Sequence, residues 1–226
     1  MILDAVCGPA TITIMPAIDD IRVFAARCFS NARGSHDWDH TQRVYNLCMH
    51  IGGVEGADLE ALEIAAYLHD VGRSYECESK GAVCHAERGA EIARNLLKEY
   101  PLSDERKANI IHCIRAHRFR GNHQPASIEA NVLFDADKLD AIGAVGIARA
   151  FLFAGEVGAK LHNPYVRPED TKPYSEEDTG YREYKLKLSR IKDRMLTTEG
   201  RRIAEQRHGF MEMFFQRFTE EYGGHK

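Results

Sequence analysis

The chain has no C-x-x-C pair, no excess of basic residues and no apolar run near the roughly 20 residues that span a bilayer. Its six cysteines, Cys7, Cys28, Cys48, Cys77, Cys84 and Cys113, are scattered. Several fall in apolar helical patterns, where Cys acts as a small hydrophobe, so they read as reduced thiols rather than a disulfide framework. Thirty Lys and Arg against 34 Asp and Glu give a net charge of −4. That balance offers no basic face, and neither a nucleic-acid nor a membrane partner is expected. The opening MILDAVCGPATITIMPAIDD lacks the basic region of a signal peptide and carries Asp4 early. Together these absences predict a soluble, cytoplasmic protein.

What is present is helical periodicity. After a short, extended start near residues 11–15, Pro16 is suited to a first helical turn, and Ile18, Ile21, Phe24, Ala25 and Cys28 share one face until Gly34. A second helix begins near Asp37–Asp39, with Gly52-Gly53 and Gly56 expected to break it. Asp58 starts a third, running to Gly72, and residues 73–83 read as a loop. A fourth helix spans about 85–100, stopped by Pro101, and Ser103 caps a fifth that reaches about Arg118. A single long helix is expected over 128–156, apolar on most sides and therefore central. Residues 161–180, with Pro164, Pro168 and Pro173, form a polar segment that is long for an inert connection and reads either as a lid-like loop over the cleft or as a disordered surface loop. Two helices, 181–195 and 199–222, complete an all-α chain of one domain: a metal-binding core over about 16–157 with a C-terminal helix pair packed on it.

Chemistry concentrates at His69-Asp70 in LEIAAYLHDVGR, where an apolar helix presents an imidazole beside a carboxylate. Neighbouring helical residues point about 100° apart. The two side chains meet only at something lying against the helix, as a bound cation does. His36, His40 and Arg43 stand at i, i+4 and i+7 in the preceding helix, and Asp135, Asp137 and Asp140 lie within an apolar one. Buried carboxylates need a partner or a cation. Asp135 is expected on a solvated edge, and Asp140 either there or orienting a ligand.

The pattern H…HD…D, with the blocks HDWDHTQRV, AAYLHDVGR, HAERGAEIA, CIRAHRF and LFDADKLDAIGAVGIARAF in order, resembles the HD-domain superfamily of metal-dependent phosphohydrolases. The similarity runs over nearly the whole chain and is nearest to small bacterial members that include nucleotide pyrophosphohydrolases. It implies an all-α, HD-type helical bundle and metal ligands at His40, His69, Asp70 and Asp137. His85 and His117 occupy blocks that in some relatives complete a two-metal site; here they either ligate a second ion or line the cleft against a phosphate. The signature GYP block of cyclic-dinucleotide phosphodiesterases is absent, which disfavours that substrate.

Two neutral imidazoles and two carboxylates balance a divalent ion, and mixed N/O ligation suits Mn²⁺, Mg²⁺, Co²⁺, Ni²⁺, Fe²⁺ or Zn²⁺ without choosing among them. Such an ion lowers the pKa of its water from about 15.7 toward 7. Asp70, Arg43 and Lys138 are assigned catalytic roles, the two cations offsetting developing charge. Arg73, Arg118, Tyr184 and Lys185 are assigned to substrate. The expected reaction is hydrolysis of a small phosphorylated metabolite, with conversion of a (deoxy)nucleoside triphosphate to monophosphate and pyrophosphate favoured. A di-iron HD-fold oxygenase and a non-catalytic nucleotide-binding module are the alternatives.

Overall fold

The computed structural model describes residues 18–29, 37–118 and 123–226. The extended start near 11–15, Pro16, Gly34 and His36 lie outside them.

Helix α1 (Ile18–Cys28) buries Ile21 and Ala25. Helix α2 (Trp38–Glu55) starts where Asp37 accepts a hydrogen bond from the His40 amide, and ends at Gly56, whose φ of 73° suits the left-handed cap. It runs unbroken through Gly52-Gly53, against expectation. Gly52 is buried, and a Cβ there would come within 2.5 Å of Leu62 Cδ1. The missing side chain therefore lets α3 (Leu59–Leu68) pack close, which offsets glycine's poor helix propensity.

Asp58 caps α3 by accepting from the amides of Glu60 and Ala61. Ala61, Leu62, Ile64, Ala65, Ala66 and Leu68 are fully buried, so α3 is the central helix, flanked by α2, by α1 and by α6 (Asp104–Ala116). It ends four residues before Gly72. The expected loop after it contains a two-turn helix, α4 (Arg73–Glu78), followed by α5 (His85–Leu96) and a 3-10 turn at Leu97–Glu99. Ser103 caps α6 through the Arg106 amide, and α5 packs on α6.

The long helix expected over 128–156 is two helices, α7 (Ile128–Leu139) and α8 (Gly143–Glu156). The chain turns at Asp140–Ile142, with Ile142 extended and Gly143 at a φ of 80°. Asp140 is buried and drawn to His40, Arg43 and Arg149, which holds the break on the α2 side.

The helix expected over 181–195 is α9 (Gly180–Leu186) followed by 3-10 turns at Leu188–Arg190 and Lys192–Arg194. Helix α10 (Thr198–Tyr222) then returns across α8, α7 and α2. Asp135 is fully buried rather than on a solvated edge. Its carboxylate accepts from the Leu196 and Thr197 amides and the Thr197 hydroxyl, fastening the start of α10 to α7. Among the described residues there is no strand, and no helix is long and apolar enough to cross a membrane.

Candidate metal centre

Helix ends deliver the site. His40 lies in the first turn of α2, His69 and Asp70 follow α3, His85 opens α5, His117 follows α6, and Asp137 sits in the last turn of α7. Local folding aims the rings. His69 Nδ1 donates to the Ala66 carbonyl at 2.7 Å and His117 Nδ1 to the Ile114 carbonyl at 2.6 Å. A carbonyl only accepts, so both protons are fixed on Nδ1. His40 Nδ1 meets Asp140 Oδ2 at 2.7 Å, and His85 Nδ1 meets Glu76 Oε2 at 2.7 Å. All four imidazoles therefore turn Nε2 toward one another.

Two groups result, each with ligand atoms within 4.8 Å of one another: His40, His69 and Asp137, and Asp70, His85 and His117. Asp70 joins them. Its Oδ2 lies 3.8 Å from His40 Nε2 and 3.7 Å from His69 Nε2, while Oδ1 lies 3.5 Å from both His85 Nε2 and His117 Nε2. The His85 and His117 Nε2 atoms are 3.2 Å apart, and those of His40 and His69 3.4 Å. Inward-facing nitrogens this close oppose their lone pairs unless a proton or cation lies between them. Burial alone would lower His40, but Asp137 and Asp140 hold it up at about 9. Burial pushes His69 down to about 3 and His85 to about 4. At neutral pH the centre thus sets neutral His69 and His85 and a protonated His40 beside ionised carboxylates, a set of N and O donors that divalent transition ions take once His40 gives up its proton. Asp137 is held well below the usual carboxylate range: burial opposes ionisation, and Lys138 and His40 overcome it.

The expected cations are already engaged. Lys138 Nζ donates to Asp137 at 2.6 Å and to the His117 carbonyl at 3.0 Å. Arg73 reaches Asp70 at 2.9 Å and Glu76 at 3.1 Å. Arg118 pairs with Glu76 at 2.9 Å and donates to Cys84 Sγ. Arg43 binds Asp140 through Nε at 2.7 Å, so it reaches the centre through that carboxylate rather than by lying beside a ligand.

Two expectations find other surroundings. Tyr184 is buried, its ring stacked on Phe215 at 4.2 Å, which makes it part of the α9–α10 packing; Lys185, beside it, is exposed. The segment 161–180, one reading of which places it over the cleft, has its ring and hydrogen-bond contacts with α8, α9 and α10. Tyr174 meets Phe153, His162 meets Tyr181, Phe218 and Tyr222, and Thr171 accepts from Arg182. Glu76 and Arg149 escaped sequence reading. Neither stands at helical spacing from a ligand it serves, directly or through Asp140, so no local signal marks them.

Helix ends that bring four imidazoles and two carboxylates together, in two groups that could hold a metal ion, define a helical protein of the H…HD…D class. Residues 37–142 match the HD domain family. YpgQ of Bacillus subtilis is 34% identical over 210 residues, covering 91% of this chain and 94% of that protein. The crystal structure of YpgQ in complex with ADP superposes with a TM-score of 0.70 at 33% identity, covering 90% of this chain and 94% of that one. An HD-superfamily hydrolase from Bacillus thuringiensis gives a TM-score of 0.72 at 29% identity, over 91% of this chain and 96% of that one. Ribonuclease Y of Chloroflexus aurantiacus is 31% identical over 121 residues, which are 54% of this chain but 21% of that protein. The chain belongs to the HD superfamily of hydrolases.

Proposed function

We propose that this protein is a divalent-metal phosphohydrolase that uses two adjacent ions to cleave a small phosphorylated metabolite, a nucleotide by preference. The observation that carries this reading is Asp70, whose two carboxylate oxygens each approach a different pair of imidazoles. A divalent ion held there supplies a Lewis acid for a phosphoryl oxygen and lowers the pKa of water toward about 7. His40, His69, Asp70 and Asp137 would hold one ion, and Asp70, His85 and His117 the second.

The remaining work falls to the cations. Arg73 and Lys138 each pair with a ligand carboxylate, at 2.9 and 2.6 Å. Each would be placed to donate to a phosphate oxygen as well, were an ion to share that carboxylate's charge. Arg118, joined to Arg73 through Glu76, extends the positive edge. Such a cluster neutralises charge spread over phosphoryl oxygens as the leaving group departs. The ADP bound by YpgQ supports a nucleoside phosphate as ligand. Release of pyrophosphate from a (deoxy)nucleoside triphosphate is the favoured reaction.

The test is a product panel with Mn²⁺, Mg²⁺, Co²⁺ and Ni²⁺ against nucleoside tri- and diphosphates, phosphomonoesters and a short single-stranded RNA. Pyrophosphate from a triphosphate is the expected product, and Asp70→Ala is expected to abolish metal binding and turnover while the helical circular dichroism signal persists. Full activity in Asp70→Ala overturns the reading. Two irons per chain with O₂ consumption after anaerobic purification would replace it with the di-iron oxygenase, and tight nucleotide binding without product under any metal would replace it with a binding module.

A further inference from the structure

The four imidazoles are not oriented in the same way. His69 and His117 follow their helices and donate back to the carbonyl three residues earlier, so helix geometry alone fixes their tautomer. His40 is held by Asp140, itself braced by Arg43 and Arg149. His85 is the first residue of α5, and Cys84 before it makes no side-chain capping bond. Its Nδ1 partner is Glu76 Oε2 at 2.7 Å, a side chain from the neighbouring α4.

Glu76 is in turn braced from two directions. The same Oε2 accepts from Arg73 at 3.1 Å, and Oε1 accepts from Arg118 at 2.9 Å. The carboxylate is only 15% exposed. With two arginines donating to it, the carboxylate faces His85 as an acceptor. A neutral imidazole carries one proton, and an acceptor at Nδ1 places it there, leaving the Nε2 lone pair facing His117 and Asp70. An outer carboxylate of this kind both orients a ligand imidazole and raises its basicity.

We infer that Glu76 is the positioning residue of the second-ion subsite, selecting the His85 tautomer that can ligate while bracing Arg73 and Arg118 at its edge. The inference rests on the two-ion reading above. It makes α4 part of the site although none of its residues belongs to either ligand group.

The experiment is calorimetric titration of the full chain with Mn²⁺, which needs no substrate. The wild type is expected to bind two ions in resolvable steps. Glu76→Ala should leave the first step unchanged and weaken the second by about 10- to 100-fold. Glu76→Gln, whose amide oxygen still accepts from Nδ1, should fall between the two. Both steps unchanged in Glu76→Ala, or both lost together with the fold intact, overturns the assignment. Should Glu76→Ala not fold, an unweakened second step in Glu76→Gln overturns it equally. A single ion in the wild type overturns the two-ion reading and takes the inference with it.

Discussion

What separates the four site histidines from ordinary core histidines is the fate of Nδ1. Two buried histidines elsewhere, His162 and His208, leave Nδ1 without a hydrogen-bond partner. These four direct Nδ1 to a carbonyl or carboxylate and leave Nε2 converging on shared carboxylates. The same logic of donors around a buried acid appears away from the centre. Glu129, in the first turn of α7 and 7% exposed, accepts from the Asp58 amide at 2.9 Å and from Asn109 Nδ2 at 2.9 Å. Burial would raise its pKa above the usual 4.5, but these donors bring it below. Folding therefore favours the ionised form. Its contribution is complete above pH 4.5 and fades as pH falls through the lower folded value. Glu129→Gln should cost roughly 1–3 kcal/mol at pH 7 and less at pH 3, read from urea unfolding. An equal loss at both pH values would show that the charge contributes nothing.

The residues gathered at the candidate centre were legible in the sequence because HD is a rare break in an apolar helix, and its partners sit in equally recognisable blocks. Glu76 was not, since it meets His85 across a turn and not along a helix face. Asp135 was misread because the sequence near residue 135 gives no hint that Leu196 and Thr197 arrive to donate to it.

At the scale of elements, helix starts were readable wherever a capping side chain marks them, as at Asp37, Asp58 and Ser103. Interruptions were not. Apolar periodicity continues across residues 140–143, so nothing local distinguishes one long helix from α7 and α8 joined by a buried turn. Helix α4 is too short to show a periodicity at all. Both misread places matter to the centre: the α7–α8 break holds Asp140 against His40, and α4 holds Glu76 against His85.

The element that sets the spacing between the two ligand groups is the crossing of the α3–α4 turn over α5. Gly72 makes that crossing possible through space rather than backbone freedom, since its φ of −84° is open to any residue. A Cβ at Gly72 would lie 2.3 Å from the His85 carbonyl oxygen and 2.7 Å from the Gly89 amide nitrogen. Both are backbone atoms and cannot swing aside. Gly72→Ala should therefore push Asp70 away from His85, costing about 1–3 kcal/mol in stability, the usual range for overpacking. It should also remove the second Mn²⁺ step in calorimetry. Two intact steps in a folded Gly72→Ala chain would show that the ligand groups tolerate separation.

Across the whole molecule, the HD portion and the helices after it are joined by polar clamps as well as by apolar contact. Asp135 on α7 accepts from Leu196 and Thr197, Glu55 on α2 accepts from the Glu199 amide at 2.8 Å, and His50 meets Glu199 at 2.7 Å. Arg207 donates to the Leu139 carbonyl at the end of α7. On the far side of α10, Phe215 is 2% exposed within rings from α8, α9 and α10 itself: Phe151, Tyr181, Tyr184, Phe214 and Phe218. Phe215→Ala removes the centre of this cluster and should cost about 3–5 kcal/mol. For a chain of this length that corresponds to a fall of roughly 6–20 °C in Tm. Because the clamps tie the start of α10 to α2 and α7, the loss should be shared by the whole chain and appear as one shifted transition. The proposed metal ligands lie on the other helices, so both Mn²⁺ steps should survive below that temperature. A split melt, with the metal-binding transition left at its wild-type temperature, would instead show that the terminal helices fold as a separate unit and that the clamps at Asp135 and Glu199 do not couple them to the centre.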